Sequence, residues 1–312
     1  MSVALHASPG SPAALALNPG PVLVASDATD ASTDALFHAA RLASTVLGGA
    51  VQLIGVCHPI SGVASGMDAL PVPPEFDEAR RVALLGDLTR NIQIAAAGDT
   101  SWPVTVLLGS PARTLAEEAA RRDAVLLVMG IGRHNPLDRL FGTETTLATL
   151  RESRVPILAV SPNFPTAPVH IVVGLDFGLA SIEAARMALR LLNSAGTLTL
   201  VHVRPRFEHP TSDWQAWDTD YGRNLPPLFE QVRAQLDVPD GVLLETVTVR
   251  GDPAPALLAY VQQVGADLIA VGTQRHHVIE RLVVGSVATR VLRMARCTVL
   301  AVPSRSPSPT LG

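Results

Sequence analysis

The sequence predicts an α/β protein with two doubly wound, five-stranded parallel-sheet domains in tandem. The first observation is an internal repeat, in which a glycine-rich pattern runs from Gly130 to Thr143 and again from Gly272 to Ser286. Each copy follows a short apolar run and precedes an amphipathic stretch. The second observation is that apolar runs alternate with Ala- and Leu-rich stretches along the chain. This alternation is typical of parallel sheets with right-handed crossover helices on both faces.

The elements of the first repeat follow from its apolar runs and turn signals. A continuous apolar run at 21–27 ends in Asp27, as expected for a buried parallel strand. A helix is predicted at 32–47, with Ser32 or Thr33 as its N-cap. The remaining predicted elements are strand 51–56, a Pro- and Gly-rich loop at 58–74, helix 75–97, strand 104–108, a third helix starting at the 109–111 turn, strand 124–128, helix 143–151 and strand 156–160.

The second repeat has the same order of elements. Its first strand, 170–176, ends in Asp176. The turn at Gly251-Asp252-Pro253 starts the third helix, because proline is tolerated in the first helical turn. The remaining predicted elements are helix 180–192, strand 197–203, a long loop at 204–227, helix 228–236, strand 242–249, strand 267–271, helix 286–294 and strand 298–302.

The repeats divide the chain into five parts. We expect a disordered tail at 1–20, a first domain at 21–162, a linker at 163–168, a second domain at 169–303 and a disordered tail at 304–312. Each fifth strand is an apolar segment at the edge of its sheet, and exposed apolar edges aggregate. We therefore predict that the two edges pair and that the repeats form an intramolecular pseudo-dimer. A further homodimer stays open.

Composition excludes several classes of partner. The chain has a net charge of −4, without the basic excess of nucleic-acid-binding domains. No apolar run reaches membrane-spanning length. The two cysteines, Cys57 and Cys297, follow no metal-binding spacing and suit a reducing compartment. Because the first 20 residues also lack a basic signal-peptide region, we expect a cytoplasmic protein without nucleic-acid or membrane partners.

The absence of lysine restricts the phosphate chemistry. All 24 Lys and Arg residues are arginine, which excludes a Walker lysine, a Schiff-base lysine and a kinase strand lysine. A bound phosphate must then be held by backbone N–H groups, hydroxyls and arginine. A strand followed by a glycine loop and a helix start supplies such N–H groups. In doubly wound sheets this edge, at the carboxyl ends of the strands, is where ligands bind.

With these features the chain resembles a tandem universal stress protein. The resemblance rests on the strand-end aspartates, His202-Val203, the Gly-x-Pro turns, the pattern Gly-x2-Gly-x9-Gly-Ser/Thr, and the closing segments 285–292 and 297–302. It covers about 21–162 and 169–303. It implies a flavodoxin- or Rossmann-like fold. Since many family members bind ATP, it also implies a regulatory stress-response protein that binds ATP, with Mg²⁺ accompanying the phosphates.

The resemblance also implies site residues. The adenine and ribose would contact the strand ends at Ser26, Asp27, Val56, Leu175, Asp176 and Val203. The glycine loops would hold the ribose and phosphates through Gly130, Gly132, Arg133, Gly142, Thr143, Gly272, Arg275, Gly285 and Ser286.

Both glycine loops depart from the family pattern. In the first loop Met129 aligns with the first family glycine, and we expect Gly130 to compensate through a small backbone shift. In the second loop Arg275 replaces the middle glycine, which removes easy access to positive φ and adds bulk. Its guanidinium either obstructs the loop or contacts phosphate. We expect one nucleotide per chain, held by the first loop.

Several alternatives stay open. Asp27 and Asp176 either contact ligand or cap the following turn. The chain shows no general base, so ATP hydrolysis is undetermined, and an unknown protein partner is expected. Neither His276-His277 nor Cys57-His58 is typical of a metal or nucleophile site. The alternative functions are an interaction scaffold with degenerate sites and an enzyme of the wider adenine-nucleotide hydrolase group.

Overall fold

The computed structural model describes residues 20–28, 33–60, 72–95, 102–131, 139–206, 212–273, 275–276 and 283–304. Within these residues the chain forms one ten-stranded sheet and a separate two-stranded hairpin. The predicted tails, 1–20 and 304–312, lie outside the described residues except for Gly20 and Ser304.

Repeat one contains nine elements. They are β1 (Val22–Ala25), α1 (Thr33–Leu47), β2 (Val51–Cys57), α2 (Pro74–Ala95), β3 (Val104–Leu108), α3 (Pro111–Arg121), β4 (Leu126–Gly130), α4 (Arg139–Glu152) and β5 (Ile157–Val160).

Repeat two has the same succession with one addition, the hairpin of β10 and β11. Its elements are β6 (His170–Gly174), α5 (Leu179–Leu191), β7 (Thr197–Arg204), α6 (Ser212–Arg233), β8 (Leu243–Arg250), α7 (Pro253–Val264), β9 (Leu268–Thr273), β10 (Arg275–His276), β11 (Val283–Val284), α8 (Ser286–Met294) and β12 (Thr298–Pro303).

The ten strands join two parallel half-sheets at a central seam. Their order is β3-β2-β1-β4-β5-β12-β9-β6-β7-β8, and only the β5–β12 pair is antiparallel. At the middle of this seam Leu158 lies opposite Leu300, and both side chains are fully buried. The predicted pairing of the two apolar edges is therefore confirmed. Because the seam is antiparallel, the strands of the two half-sheets run in opposite directions. Their carboxyl ends therefore lie at opposite edges of the sheet, as a pseudo-two-fold axis requires.

Helices cover both faces of the sheet, as a doubly wound fold requires. Buried residues of α1, α2, α5 and α6 form one core with one face of the strands. Buried residues of α3, α4, α7 and α8 form a second core with the other face. The inner strands contribute almost uninterrupted runs of buried Val, Leu and Ile, which explains why their sequences do not alternate between apolar and polar residues. The outer strands β3 and β8 are mostly half-buried or exposed.

The prediction of a long loop at 204–227 and a helix at 228–236 was wrong. Instead, α6 runs from Ser212 to Arg233 and contains Pro226 and Pro227 in its interior. Proline usually ends a helix because it lacks an N–H group. Here packing overrides that preference, since Leu225 and Phe229 are both buried beside the two prolines. Tertiary contacts therefore hold together a helix that local propensity would interrupt.

Two further differences lie near the glycine loops. The helix predicted at 143–151 begins four residues earlier, so α4 includes Gly142 and Thr143. In repeat two, Arg275 pairs with Val284 and His276 pairs with Val283 in an antiparallel hairpin that was not predicted. By contrast, α8 begins at Ser286 as predicted.

Candidate functional site

The end of β1 places the first group of predicted residues at the carboxyl edge of the sheet. Ser26 continues the strand, because its N–H donates to the Ile54 carbonyl at 3.1 Å. Its hydroxyl oxygen accepts a hydrogen bond from the Ala28 N–H at 3.2 Å. Asp27 is exposed between them, and Val56 is half-buried near the end of the neighbouring strand. The structure thus brings Ser26, Asp27 and Val56 to one edge.

In repeat two the strand-end aspartate caps the turn that leads into α5. Asp176 Oδ1 accepts hydrogen bonds from the Gly178 N–H at 2.9 Å and from the Ser181 hydroxyl at 2.6 Å. Leu175, just before it, is buried and donates its N–H to the Val201 carbonyl at 2.9 Å. The turn-capping alternative therefore describes at least one carboxylate oxygen of Asp176. Ser181 was missed in the sequence, although its spacing from Asp176 is the available signal.

Both strand-end aspartates precede a residue with left-handed backbone. Ala28 has φ 65° and Phe177 has φ 62°. Non-glycine residues adopt this region at a cost, and such residues concentrate at ligand sites. The same conformation occurs at the same position in both repeats, so it is a shared structural feature of the two strand ends.

His202 ties the end of β7 to the neighbouring elements of repeat two. Its Nδ1 lies 2.8 Å from the Leu175 carbonyl oxygen, and its Nε2 lies 2.8 Å from the Tyr221 hydroxyl. A carbonyl oxygen only accepts, so in the neutral ring Nδ1 carries the proton and Nε2 accepts from Tyr221. The Phe177 ring packs against the imidazole at 4.8 Å. Tyr221 was not predicted, and its spacing from His202 gives no sequence signal.

The sheet register shows that the first glycines of the two loops are equivalent. Ala25 of β1 lies opposite Met129, and Gly174 of β6 lies opposite Val271. The following residues, Gly130 and Gly272, therefore occupy the same position in the two half-sheets. The expectation that Met129 takes the place of the first glycine was wrong.

Gly272 is required by a close approach of two backbones. A Cβ atom at this residue would lie 2.5 Å from Ala180 C and 2.5 Å from Ser181 N. These atoms belong to the first turn of α5, which follows the Asp176 turn. The glycine therefore lets the start of α5 lie against the end of β9, at the edge where the sequence predicted ribose and phosphate contacts.

The last glycine of the first loop is displaced by one residue. From β4 to β5 and from β9 to β12 the chain has the same length, and the buried positions of α4 and α8 share one spacing. These positions are Thr146, Thr149 and Leu150 in α4 with Ser153 just after it, and Ala288, Val291 and Leu292 in α8 with Ala295 just after it.

This equivalence shifts the predicted phosphate residues of repeat one. It matches Thr143 with Gly285 and Glu144 with Ser286, although the motif pairs Gly142-Thr143 with Gly285-Ser286. The position of the Ser286 hydroxyl is thus occupied by a carboxylic acid in repeat one.

The helix starts of the two loops also differ. In repeat two Gly285 is the N-cap, with φ −49° and ψ 137°, and no side chain caps the helix. No acceptor among the described residues takes the first N–H groups of α8, and Ser286 is exposed. In repeat one Thr143 is the fifth residue of α4, so its N–H points to the carbonyl of the preceding turn. Only the second loop therefore ends at a free helix N-terminus at the predicted residue.

Comparison with known proteins agrees with this architecture. The universal stress protein family model matches residues 20–161 and 169–303. The chain belongs to the universal stress protein family. Universal stress protein MJ0531 of Methanocaldococcus jannaschii is 40% identical over 137 residues, covering 42% of this chain and 80% of the relative. Universal stress protein Rv2623 of Mycobacterium tuberculosis is 26% identical over 259 residues, covering 78% and 84%.

A solved structure shows the same fold along nearly the whole chain. The crystal structure of a universal stress protein from Archaeoglobus fulgidus has a TM-score of 0.62 at 15% identity, covering 91% of this chain and 98% of that one. This universal stress protein therefore contains two copies of the family's domain, at 20–161 and 169–303. Among its described helices none has the length and apolar character needed to cross a membrane.

The remaining predicted positions of this universal stress protein lie partly outside the described residues. Gly132 and Arg133 belong to the segment 132–138, which is not described. Arg275 is described only through its backbone, which is extended as part of β10. An extended conformation is open to any residue, so the replacement of glycine by Arg275 needs no positive φ there.

An ion pair connects the displaced position of repeat one to α8. Arg293 Nη2 lies 3.0 Å from Glu144 Oε1, and both side chains are about half-exposed. Arg293 is in the last turn of α8, where the helix dipole favours a cation. Glu144 corresponds to Ser286 of repeat two. It therefore pairs with the last turn of α8, the helix whose first residue is Ser286.

Proposed function

We propose that this universal stress protein is a regulatory protein that binds one adenine nucleotide, ATP or a close relative, at repeat two. The observation that carries the proposal is the start of α8. There the glycine loop ends at Gly285, and the first helical N–H groups have no acceptor among the described residues. Anions bind at such helix starts through these N–H groups and the helix dipole.

The described residues of repeat two fit such a ligand. The N–H groups at the start of α8 and the Ser286 hydroxyl would donate to phosphate oxygens. Gly272 lets the start of α5 pack directly against the end of β9, which brings the Asp176 turn next to the glycine loop. Asp176, Leu175 and Val203 would border the adenine and ribose at the strand ends. The extended backbone of Arg275 removes the argument that this loop needs a positive φ there, and its guanidinium would add positive charge for phosphate.

Repeat one fits a phosphate less well at the equivalent place. Glu144 brings a carboxylate to the position of Ser286, and Thr143 lies inside α4 rather than at its start. Like charge at short range disfavours phosphate. This reverses the expectation from the sequence, which assigned the nucleotide to the first loop. Ser26, Asp27, Val56, Gly130, Gly132, Arg133 and Gly142 then belong to a degenerate copy of the site.

The nucleotide would act as a switch if it binds one conformation of the protein more tightly than another. A ligand shifts an equilibrium only as far as its affinities for the two states differ. One ligand would contact both the start of α8 and the Asp176 turn. The affinity for an unknown protein partner would follow from the conformation that the ligand prefers. Mg²⁺ would accompany the phosphates and add positive charge beside them.

Isothermal titration calorimetry with ATP and Mg²⁺ tests the proposal. We expect about one nucleotide per chain, and Gly285→Asp should abolish binding because it places a carboxylate at the phosphate site. This variant should fold, since a Cβ at Gly285 meets nothing within 4 Å and Asp is a good N-cap. Gly285→Asn is the matched uncharged control and should retain measurable binding.

In repeat one the glycine that matches Gly285 in the motif, though not in the structure, is Gly142, and Gly142→Asp should leave the stoichiometry at one. Saturation at 100 times Kd should raise the free energy of unfolding by roughly 2.7 kcal/mol. A stoichiometry of two, or loss of binding in Gly142→Asp but not in Gly285→Asp, would contradict the assignment to repeat two. An absence of binding to the wild-type protein would favour the interaction scaffold.

A further inference from the structure

The outer edge of β8 presents unpaired backbone groups. Among the strands of the described residues, β8 ends the ten-stranded sheet and pairs only with β7. The Leu243 N–H donates to the Gly196 carbonyl, and the Gly251 N–H donates to the Arg204 carbonyl. Backbone groups of a strand alternate in direction, so the odd-numbered residues of β8 face β7 and the even-numbered residues face outward.

One contact confirms this direction, and the remaining outward groups are open. The carbonyl of Leu244 accepts a hydrogen bond from Arg233 Nη2 at 3.1 Å, which covers the first part of the edge. For Thr246, Thr248 and Arg250, no hydrogen bond to the backbone N–H or C=O is made by any residue that the structure describes. A row of outward donors and acceptors is a template for another strand.

A groove lies beside this open segment. It has a volume of about 290 Å³ and separates β8 from α6. Leu225 and Phe229 of α6 form its apolar floor, and Thr246 and Thr248 line its strand side. Arg204 closes one end. The groove therefore combines an apolar floor with the strand whose outward backbone groups are unpaired.

The groove exists because α6 stands away from the sheet. In repeat one the corresponding helix lies directly on β2, where a Cβ at Gly55 would be 2.7 Å from Leu88 Cδ1. The register places His202 at the corresponding position of β7. Its imidazole reaches up to the Tyr221 hydroxyl and fills the space between strand and helix. The opposite outer strand, β3, has only five residues and lies under α2.

The charges at the end of the groove favour an acidic ligand. Asp218 is the shared partner of Arg204 and Arg250, the latter at 2.6 Å. The hydrogen bond from Arg250 is the main cause that lowers the pKa of the Asp218 carboxyl, with Arg204 adding to it. Two guanidinium groups thus share one carboxylate, and Arg250 is 55% exposed. Glu230, which also lines the groove, pairs with Arg233 at 3.6 Å, so the exposed Arg250 is left as a surplus positive charge beside the edge.

We propose that the outer edge of β8 and this groove bind an extended peptide segment of a partner protein. The segment pairs with Thr246, Thr248 and Arg250 as an added strand, places an apolar side chain over Leu225 and Phe229, and presents an acidic side chain to Arg250. Main-chain bonds give affinity in this mode of recognition, and the groove and the arginine give specificity. The surface shares no residue with the proposed nucleotide site, and the test below uses no nucleotide.

The probe is a library of capped, fluorescein-labelled hexapeptides in which Val or Leu alternates with randomised residues. We expect the bound fraction to be enriched in Asp or Glu. Binding should slow amide hydrogen exchange at Thr246, Thr248 and Arg250. N-methylation of alternate amides of the best peptide should weaken binding by about tenfold or more, because each lost backbone hydrogen bond costs a severalfold factor.

Protein variants separate the edge from the rest of the molecule. Thr246→Pro removes an outward N–H without touching the bonds to β7, and proline is tolerated at such edge positions. It should reduce peptide binding about tenfold, whereas the matched change on the opposite edge, Val104→Pro, should not. Arg250→Gln should remove the preference for acidic peptides.

Three outcomes of the binding assays would overturn the proposal: no peptide binding, equal binding by Thr246→Pro, or N-methylated peptides that bind as well as their parents. Sedimentation of the wild-type protein addresses a different occupant. A dimer that Thr246→Pro dissociates would assign the edge to a second copy of this chain, and it would overturn the assignment to a partner peptide.

Discussion

The outer ends of the two repeats show how one residue changes the layer above a sheet. At Gly55 of β2 the absence of a side chain lets Leu84 and Leu88 of α2 approach the strand closely. At the corresponding position of β7, His202 is hydrogen-bonded on both ring nitrogens and supports α6 through Tyr221. The same fold thus has a closed outer layer in repeat one and an open groove in repeat two.

The glycine loops differ in a second way that a motif alone does not show. Gly130 and Gly272 are equivalent in the sheet. Gly142, however, lies one residue earlier than Gly285 when the two are counted from the equivalent buried positions of α4 and α8. Equal chain lengths between the flanking strands mean that the fold tolerates this displacement. A motif that is conserved in composition therefore loses its alignment with the helix start.

The largest effect is expected from removing the imidazole that supports α6. His202→Ala leaves the Leu175 carbonyl and the Tyr221 hydroxyl without their partner and opens a void beside Phe177. We expect the free energy of unfolding to fall by about 2–4 kcal/mol. Urea unfolding followed by tryptophan fluorescence measures this change.

A control distinguishes the hydrogen bond from the packing. Tyr221→Phe removes only the hydroxyl that donates to His202 and should cost about 1 kcal/mol. A loss below about 0.5 kcal/mol in His202→Ala, which is typical of surface positions, would show that His202 does not support α6.

Much of the fold was predictable from the sequence because its signals are local. Apolar runs ending in Asp27 and Asp176, and turns such as Gly251-Asp252-Pro253, define strands and helix starts without knowledge of the rest of the chain. Pairing of the fifth strands followed from the cost of two exposed apolar edges. The extent of α6 did not follow, since Pro226 and Pro227 act locally as breakers and only the core holds the helix together.

The site was less predictable than the fold. The strand-end residues were located correctly because the carboxyl ends of parallel strands share one edge. The displacement of Gly142 was invisible, because it appears only when the register of paired strands defines equivalent positions. The contacts of His202 with Tyr221 depend on the height of α6 above the sheet, which no local pattern encodes.

The third helices of the two repeats should respond to opposite ends of the pH scale. α3 and α7 both start at a proline, which makes Glu118 and Tyr260 equivalent. The Glu118 carboxylate accepts hydrogen bonds from Arg121, the largest cause, and from Arg122, and its pKa falls from 4.5 to about 2. Burial of Tyr260, helped by the nearby Glu245, raises the pKa of its phenol above 10.0.

The sign of each effect follows from the direction of the shift. A depressed pKa gives stability that is present above pH 4.5 and lost as pH falls from 4.5 toward 2. We expect Glu118 to contribute about 1–2 kcal/mol over this window, after discounting for solvent screening. A raised pKa gives stability that is present below pH 10.0 and lost as pH rises above it.

Urea unfolding at a series of pH values checks both expectations. Glu118→Gln should flatten the acid limb of the stability profile and leave the alkaline limb unchanged, and Tyr260→Phe should do the reverse. If Glu118→Gln has the same acid limb as the wild-type protein, other carboxylates carry the acid sensitivity.

The smallest effect is expected from the ion pair that joins the repeats. Glu144 and Arg293 are 3.0 Å apart but about half-exposed, so water screens their attraction. A double-mutant cycle with Glu144→Gln and Arg293→Gln should give a coupling free energy of about 0.2–1 kcal/mol that declines with added salt. The exposed pair Arg113–Glu117 within α3 is the matched control. A coupling well above that of the control would mean that the link between the repeats has a role beyond surface electrostatics.

Because Arg293 lies in the last turn of α8, whose start is proposed to bind phosphate, repeating the cycle with saturating ATP sharpens the test. If the ion pair between Glu144 and Arg293 has no influence on the nucleotide site, the coupling free energy should be the same with and without ATP.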